Sequence, residues 1–407
     1  MKIPVLDITA STRRWRAFAI LWFSMFVIAG GLGMVVPILP VFVRDMGASG
    51  LWLGLAFSGF AITQTPLTPV IGRLGDRLGR RRFIIVGLSM YVFIGFGLSM
   101  ANSYPAVVLL RMAMGIGAAC MFPSALATIG ELSPRGHEGR YMGLFMVSFT
   151  AGFGVGPLIG GVLKDAFGVG ATFLTLSGAA MIALLFVAIL MPPQSASSDA
   201  DEEKVLSMRV LVRDLRVWAL FVFNFTFGLS MGSVMTFIAI FMTDSLLASA
   251  TLVGLVVGSR AIISSVMQPF FGRLADSVPR HYMVVAGGLL LAAATWAIPA
   301  APTIGILMVC FLLLGLAESA SLPASLAITT DLGRVYGYGT LIGFSNGVLV
   351  FGLLVGSLGS SMVETVVGIE DVFHVAGIVT AFMIGAFMVV WSRGGRVVVH
   401  EASTKTH

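Results

Sequence analysis

The sequence has little charge and few of the residues that build catalytic or metal sites. Asp, Glu, Lys and Arg make up 11% of its 407 residues, against roughly 25% in soluble domains. It contains five histidines, none paired at the spacing of metal ligands, and two cysteines. Cys120 and Cys310 both fall within apolar runs, which argues against a disulfide framework or a metal site. We therefore expect a protein that is not an enzyme and that has no metal and no cofactor.

Long apolar runs take the place of the missing charge. The hydrophobic share is 57% and the mean hydropathy is +0.98. A helix needs about 20 apolar residues to cross the hydrocarbon core of a bilayer, and the runs lack the alternation with period two that marks membrane β-strands. The predicted fold class is an all-α membrane protein with twelve transmembrane helices. The predicted spans are 17–43, 51–71, 83–101, 106–129, 141–163, 170–190, 217–242, 250–271, 283–300, 303–328, 338–363 and 372–391.

Lys and Arg are distributed unequally between the two sides of the predicted membrane. If the N-terminus is cytoplasmic, 21 of the 25 fall in cytoplasmic segments, and only Arg44 and Lys164 lie outside. The positive-inside rule then predicts that both termini are cytoplasmic. The same asymmetry accounts for the net charge of +6, so we expect the basic loops to face an anionic inner leaflet rather than nucleic acid.

The sequence repeats itself at an offset of 200 residues. TPVIGRLGD (68–76) returns as QPFFGRLAD (268–276), and MFPSALAT (121–128) returns as SLPASLAI (321–328). Six spans followed by six spans in the same sense predict two parallel six-helix bundles that move about a shared central site. The predicted units are an N-terminal bundle (1–190), a cytoplasmic linker (191–216) and a C-terminal bundle with a short cytoplasmic tail (217–407).

The loop after the second span, GRLGDRLGRRR (72–82), concentrates five arginines, one aspartate and three glycines. It resembles the signature between spans 2 and 3 of the major facilitator superfamily of secondary transporters. The residues that carry the resemblance are Gly72, Asp76, Arg77, Gly79, Arg80 and Arg81. The second copy, GRLADSVPRH (272–281), keeps Gly272, Asp276 and Arg280 but has Pro279 in place of the middle glycine. The resemblance implies the major facilitator fold, a small-molecule substrate and a monomer in a lipid bilayer.

We expect this loop to form a cytoplasmic gate. Gly72 would let the second span approach a neighbour closely, and Asp76 would accept hydrogen bonds from the N-terminal end of a helix in the other half. The arginines would hold Asp76 and the inner leaflet. Positive charge that only sets the topology is the alternative; it explains the arginines but not the repeated Gly-x3-Asp.

Two further motifs resemble the drug-exporter branches of the same superfamily. GFGVGPLIGG (152–161) matches the antiporter pattern through Gly152, Gly156, Pro157, Gly160 and Gly161. Small residues every four positions allow close helix contact, and a proline removes a helix hydrogen bond. The end of the first span matches a second pattern through Gly31, Pro37 and Pro40. The resemblance implies export, and a generic helix-packing motif is the alternative.

Three ionisable side chains lie well inside the predicted spans: Arg111, Arg260 and Glu318. Burial there costs about 2.5–3.5 kcal/mol, so each is a candidate for proton coupling. Arg111 resembles the superfamily's arginine on span 4, which is associated with proton coupling, although the family's glutamine is missing here. We hypothesise that Glu318 carries the proton, because its proton affinity would alternate if Arg260 or Arg111 approached it in only one state. A purely structural Glu–Arg pair is the alternative.

Polar residues inside the spans are candidates for lining a substrate cavity, and an interhelical hydrogen bond is the alternative for each. They are Gln64, Asn224, Thr236, Ser321, Ser325 and Asn346. Two arginines and one glutamate give an expected cavity charge near +1, which favours neutral, zwitterionic or anionic amphiphiles over lipophilic cations.

The leading hypothesis is a proton-coupled exporter of small amphipathic or hydrophobic molecules in a prokaryotic plasma or inner membrane. A specific exporter or facilitator of a metabolite, sugar or lipid-like molecule is the first alternative. A membrane receptor on the same fold, without transport, is the second.

Overall fold

The computed structural model describes residues 8–133, 138–191, 214–336 and 338–394, and these ranges contain helices and no strands. Apart from one 3-10 turn at Ile298–Ala300, the elements are twelve α-helices of at least 18 residues. They are α1 (Ile8–Asp45), α2 (Leu51–Leu78), α3 (Arg80–Ser99), α4 (Tyr104–Leu132), α5 (Glu138–Phe167), α6 (Val169–Leu190), α7 (Leu215–Ser245), α8 (Ala250–Ser277), α9 (Arg280–Ala297), α10 (Ile304–Tyr336), α11 (Tyr338–Val367) and α12 (Ile369–Arg393).

Eleven of these helices, all except α2, are long and apolar enough to cross a membrane. α2 contains the more polar stretch TQTPLT, so its crossing as a twelfth span stays a prediction, as does the orientation of the termini. The all-helical class is confirmed. Most of the predicted linker lies outside the described residues, and α7 begins at its end.

Local sequence sets the helix boundaries, and one of these signals repeats after 200 residues. Gly79 separates α2 from α3 with φ at +92°, a conformation that side chains rarely adopt. Gly168 and Gly368 precede α6 and α12 with φ at +83° and +102°. Asp214 caps α7 by accepting a hydrogen bond from the backbone N of Arg216 at 2.8 Å.

The helices pack in the same pattern in both halves of the chain. In the first half α1 packs against α5 and α6, α4 packs against α2 and α3, and α3 packs against α6. The second half repeats each contact with helices six places further on. Between the halves, α2 packs against α11 and α5 packs against α8. Because α8 and α11 are the repeats of α2 and α5, the two interfaces are equivalent, as expected for parallel repeats around a central axis.

The two ends of the bundle are named here after the predicted orientation. At the outer end, helices α1, α5, α7 and α11 terminate and helices α2 and α8 begin. At the inner end lie the segments that join α2 to α3 and α8 to α9.

Candidate transport site and gates

Charged groups join the two halves at the outer end. Arg44, near the end of α1, forms an ion pair with Asp244, near the end of α7. These two positions are 200 residues apart, so equivalent residues meet with opposite charge. Asp165, near the end of α5, accepts hydrogen bonds from the backbone N atoms of Ala250 and Thr251 at 3.1 and 2.7 Å. The outer end is therefore closed by contacts at the first turn of α8 and the last turns of α1 and α7.

Small residues continue the closure toward the middle of the bundle. A Cβ added to Gly161 on α5 would lie 2.7 Å from the carbonyl carbon of Ala250 on α8, closer than real side chains come. At the equivalent interface the hydroxyl of Ser357 on α11 donates to the carbonyl of Gly54 on α2 at 3.0 Å. The α5–α8 contact reaches Gly154, about 20 Å from the end of α5 at 1.5 Å per residue.

The side chains that the structure describes show no such contact at the inner end. These side chains exclude Asp76, Asp276 and those at the starts of α5 and α11, and the hydrogen bonds and ion pairs found among them between the halves are the outer contacts above. A Cβ at Gly72 or Gly272 would meet no atom within 4 Å. The halves thus meet at the outer end and separate toward the inner end, which is an inward-open arrangement. Gly72 makes no close helix contact in this arrangement, because the space beside it is open, so the predicted close approach stays a prediction for the closed gate.

The inner-end arginines bind within their own halves. Arg80 forms an ion pair with Glu131 at 2.7 Å, and Arg280 forms the equivalent pair with Asp331. Arg81 donates to the carbonyl of Ala188 at 2.7 Å. These contacts tie the start of α3 and of α9 to the neighbouring helices, and the expectation that the arginines also hold Asp76 stays a prediction. The repeat of Glu131 as Asp331 is the sequence signal that could have revealed the pairs.

The gate aspartates cannot be placed by their contacts. Asp76 and Asp276 lie in α2 and α8, but their side chains are outside the described residues. Arg77 is exposed. The cytoplasmic gate therefore stays a prediction.

The glycine motif of α5 divides between two neighbouring helices. Gly152, Gly156 and Gly160 face α1, where an added Cβ would come closer than 3.0 Å to backbone atoms. Gly161 and the carbonyl of Pro157 face α8 of the other half, whereas the ring of Pro157 lies against Gly33 of α1. The motif therefore joins tight packing inside the first half to the outer closure between halves.

Near the middle of the second half, Arg260 of α8 and Glu318 of α10 form an ion pair at 2.9 Å. Their side chains are 7% and 19% exposed. Both lie roughly 15–21 Å along their helices from the outer end. Val309, which is 54% exposed, projects from the opposite side of α10, because nine residues correspond to two and a half helical turns. Glu318 therefore faces the interior of the bundle and retains some solvent access there.

Arg260 also has unused hydrogen-bonding capacity. Its Nε atom is buried and has no partner within the described residues. Beside it lies a small cavity lined by Ser230 and apolar side chains of α7, α9 and α10. A buried guanidinium with one unused N–H can donate a hydrogen bond to another polar group while it stays paired with Glu318.

Arg111 has a different environment from Arg260. It is 1% exposed and donates to the carbonyls of Ala56 and Phe57 on α2 at 3.0 and 2.5 Å. Its guanidinium lies 4.9 Å from the ring centre of Phe60. No ion pair joins it to a carboxylate among the described residues. Of the two arginines proposed to approach Glu318, the structure brings only Arg260 to it.

The two buried arginines occupy exchanged positions in the repeat. Position 60 on α2 is Phe60, whereas its equivalent on α8 is Arg260; position 111 on α4 is Arg111, whereas its equivalent on α10 is Phe311. Each half thus has one arginine and one phenylalanine at these two sites. Only the second half adds a carboxylate, Glu318, so the ion pair is asymmetric between otherwise equivalent bundles.

Two of the predicted cavity residues belong to helix packing in this conformation. Thr236 bonds to the carbonyl of Gly232 and to the hydroxyl of Ser357, at 2.6 and 2.8 Å. Ser321 donates to the carbonyl of Ala317 at 2.7 Å and packs against Gly287 of α9. Both side chains are about 1% exposed or less. The prediction that they line a cavity is wrong here, because their faces are covered by neighbouring helices.

The other candidates divide by exposure. Asn224 is 7% exposed and donates to the carbonyl of Leu220 in its own helix, and Ser325 is buried. Gln64 is partly exposed, and Asn346 is exposed. A substrate contact for these four residues stays a prediction.

An aromatic cluster lines the interior of the first half and was missed from the sequence. Phe149 and Phe153 of α5 stack with ring centres 6.0 Å apart, and Phe122 of α4 meets Phe149 at 6.0 Å. The α1 and α8 contacts flank Phe153 on one side of α5, and the exposed residues Val155 and Ile159 lie on the other. The i, i+4 spacing of the two phenylalanines was the available signal.

The family of this protein follows from its sequence pattern together with this geometry. The pattern of the Major Facilitator Superfamily matches residues 21–241 and 220–406. The chain belongs to the major facilitator superfamily. It is accordingly a multi-pass integral membrane protein of a transporter family, whose members bind small-molecule substrates and sit in a lipid bilayer.

Relatives and solved structures agree with this membership in the superfamily. An uncharacterized MFS-type transporter of Methanocaldococcus jannaschii is 21% identical over 364 residues, which cover 88% of this chain and 94% of that protein. The quinolone resistance protein NorA of Staphylococcus aureus is 32% identical over 146 residues, 36% of this chain and 38% of NorA.

Two solved structures share the fold of this major facilitator protein. A bacterial homolog of the human lysosomal transporter Spinster, inward-facing and unoccupied, aligns with a TM-score of 0.79 at 14% identity, over 93% of this chain and 96% of that one. The human organic anion transporter MFSD10 aligns with a TM-score of 0.64 at 18% identity, over 92% and 99%.

Proposed function

We propose that this protein is a proton-coupled exporter of small amphipathic or hydrophobic molecules that works by alternating access. The observation that carries the proposal is the Arg260–Glu318 pair. It is the buried ion pair of the described bundle, it lies at mid-depth, and it faces the interior while the outer end is closed. Intramembrane ionisable residues of this kind are costly and mark ion or substrate pathways.

Proton binding acts through the contact between these two side chains. In the inward-open arrangement Arg260 pairs with the carboxylate of Glu318 at 2.9 Å, and in this proposal the proton leaves to the inner side in that state. Protonation from the outer side removes the charge of Glu318 and leaves Arg260 without its counter-ion. The resulting change in charge at the centre of the bundle drives the exchange between inward-open and outward-open states.

We revise the expected cavity charge from +1 to zero with Glu318 ionised, because the guanidinium of Arg111 is buried and bonds to carbonyls of α2. A neutral site favours neutral or zwitterionic molecules over permanent cations. Phe122, Phe149 and Phe153 offer an apolar surface in the first half. The partial similarity to NorA supports export of drug-like molecules. We place the protein as a monomer in a prokaryotic plasma or inner membrane, with its basic loops at an anionic inner leaflet.

The test uses purified protein in liposomes and a fluorescent amphipathic substrate, with a pH gradient across the membrane. Glu318→Gln removes the titratable group and keeps a hydrogen-bonding side chain next to Arg260. We expect it to abolish transport driven by the pH gradient and to spare exchange of labelled for unlabelled substrate. Glu370→Gln, at an exposed carboxylate of α12, is the matched control and should behave as the wild type.

Two outcomes separate the alternatives. Undiminished proton-driven transport by Glu318→Gln would show that the proton binds elsewhere. Substrate exchange by the wild type with no response to a pH gradient would instead indicate a facilitator.

A further inference from the structure

We propose that Asp165 is a positioning residue for transport: it closes the outer end by holding the first turn of α8, and outward opening requires its release. The inference rests on the alternating access of the proposed function. It concerns a residue outside the antiporter motif, near the end of the same helix.

The geometry of Asp165 matches the unsatisfied donors of a helix start. Its carboxylate accepts from the backbone N of Ala250 at 3.1 Å, from the backbone N of Thr251 at 2.7 Å and from the hydroxyl of Thr251 at 2.6 Å. The first backbone N–H groups of a helix have no partner within it, and the helix dipole favours an anion at this end. Asp165 supplies both a hydrogen-bond acceptor and a negative charge to the start of α8, from the opposite half of the protein.

The repeat shows that this contact exists at only one of the two equivalent interfaces. The position equivalent to Asp165 is Thr365 on α11, and its hydroxyl bonds to carbonyls of its own helix, Ser361 and Met362. The residues equivalent to Ala250 and Thr251 are Gly50 and Leu51 on α2. A charged contact therefore fastens α5 to α8, whereas a hydroxyl, that of Ser357, bonds α11 to α2. The two interfaces are equivalent in backbone and unequal in strength.

The fastened helix also contains the arginine of the central pair. Arg260 lies ten residues after Ala250 on α8, and an added Cβ at Gly315 of α10 would come closer than 3.0 Å to its carbonyl. α8 and α10 are thus packed together around Arg260 and Glu318 and move as one unit. While Asp165 holds α8, this unit stays against the first half and the outer solution has no route to Glu318 along the α5–α8 interface.

The experiment measures the outer opening directly, without substrate or pH gradient. Spin labels on cysteines at Met100 and Ala300, exposed and equivalent positions near the outer ends of α3 and α9, report the separation of the halves. Cys120 and Cys310 are replaced by alanine. We expect Asp165→Asn to raise the ratio of long to short distances by roughly 5- to 10-fold, because a neutral amide loses the charge-assisted bonds.

Three further variants make the test specific. Thr251→Val removes one of the three hydrogen bonds of Asp165 and should raise the same ratio by less. The double variant should exceed Asp165→Asn by little, because the bond that Thr251→Val removes is already weakened in Asp165→Asn. Asp165→Glu keeps the charge and should restore part of the closure. Thr365→Val, the matched control at the equivalent position, should leave the distances unchanged.

The inference is overturned if Asp165→Asn behaves as Thr365→Val does, or if the effects of Asp165→Asn and Thr251→Val simply add. Repeating the measurement with Glu318→Gln present separates this inference from the proposed function. An effect of Asp165→Asn that persists there supports the outer contact, whatever becomes of the proton role of Glu318.

Discussion

Replacing Gly161 with alanine should open the outer end. The added Cβ would lie 2.7 Å from the carbonyl carbon of Ala250 and 2.8 Å from the Cα of Thr251, both backbone atoms of the other half. Ordinary contact begins at 3.4 Å, so α5 and α8 must separate by about 0.7 Å or more. Such overpacking costs about 1–3 kcal/mol. The gain of about 1 kcal/mol in helix propensity applies to both states and cancels between them.

The population of the outer-closed state relative to the outer-open state should therefore fall by roughly 5- to 150-fold. The distance between spin labels at Met100 and Ala300 measures this shift. Gly359→Ala on α11 is the control, because an added Cβ there meets no atom within 4 Å. Gly156→Ala crowds α1 within the same half and should lower stability without separating the halves. An unchanged outer distance in Gly161→Ala would refute the packing argument.

Two further predictions concern single contacts. Ser357→Ala removes the hydroxyl bond between α11 and α2, worth about 0.5–1.5 kcal/mol. It should raise the fraction of long outer distances by less than Gly161→Ala does. Thr330→Ala, whose hydroxyl bonds only to its own helix, should have no such effect, and equal shifts in both variants would contradict the assignment. Gly79→Ala forces a side chain into φ near +92°, at a cost of about 1–3 kcal/mol, and should lower the midpoint of thermal unfolding. Gly72→Ala has open space and should not lower it; equal loss of stability in the two glycine variants would rule out the conformational reason.

Much of the fold could be predicted because the repeat and the apolar runs have local causes. A run of about 20 apolar residues predicts a helix whatever surrounds it, and the offset of 200 residues aligned the helices of the two halves correctly. The glycines of α5 were also identified correctly as a close-packing face. Their spacing cannot say which neighbour they meet, and the structure divides them between α1 and α8.

For the candidate site, the sequence could not predict which side chains contact each other across different helices. The sequence offered Arg111 and Arg260 equally as partners of Glu318, since the distance along the chain says nothing about which helices meet. The sequence left Thr236 of α7 open between a cavity wall and an interhelical hydrogen bond, and its hydroxyl bonds to that of Ser357 on α11. Asp165 gave no periodic signal, because a single acidic residue near a helix end is common on protein surfaces. Its role becomes visible only when the first turn of α8 is placed beside it.

The central claim is that the two halves exchange which end is open around the Arg260–Glu318 pair. It is tested most directly by measuring the inner and the outer separation on the same protein. Labels at Leu74 and Leu274, exposed near the inner ends of α2 and α8, report one end, and labels at Met100 and Ala300 report the other. Acidifying the outer solution should shorten the inner distance and lengthen the outer one, and Glu318→Gln should remove this response to pH. Inner and outer distances that change in the same direction, or stay fixed while substrate is transported, would contradict the account.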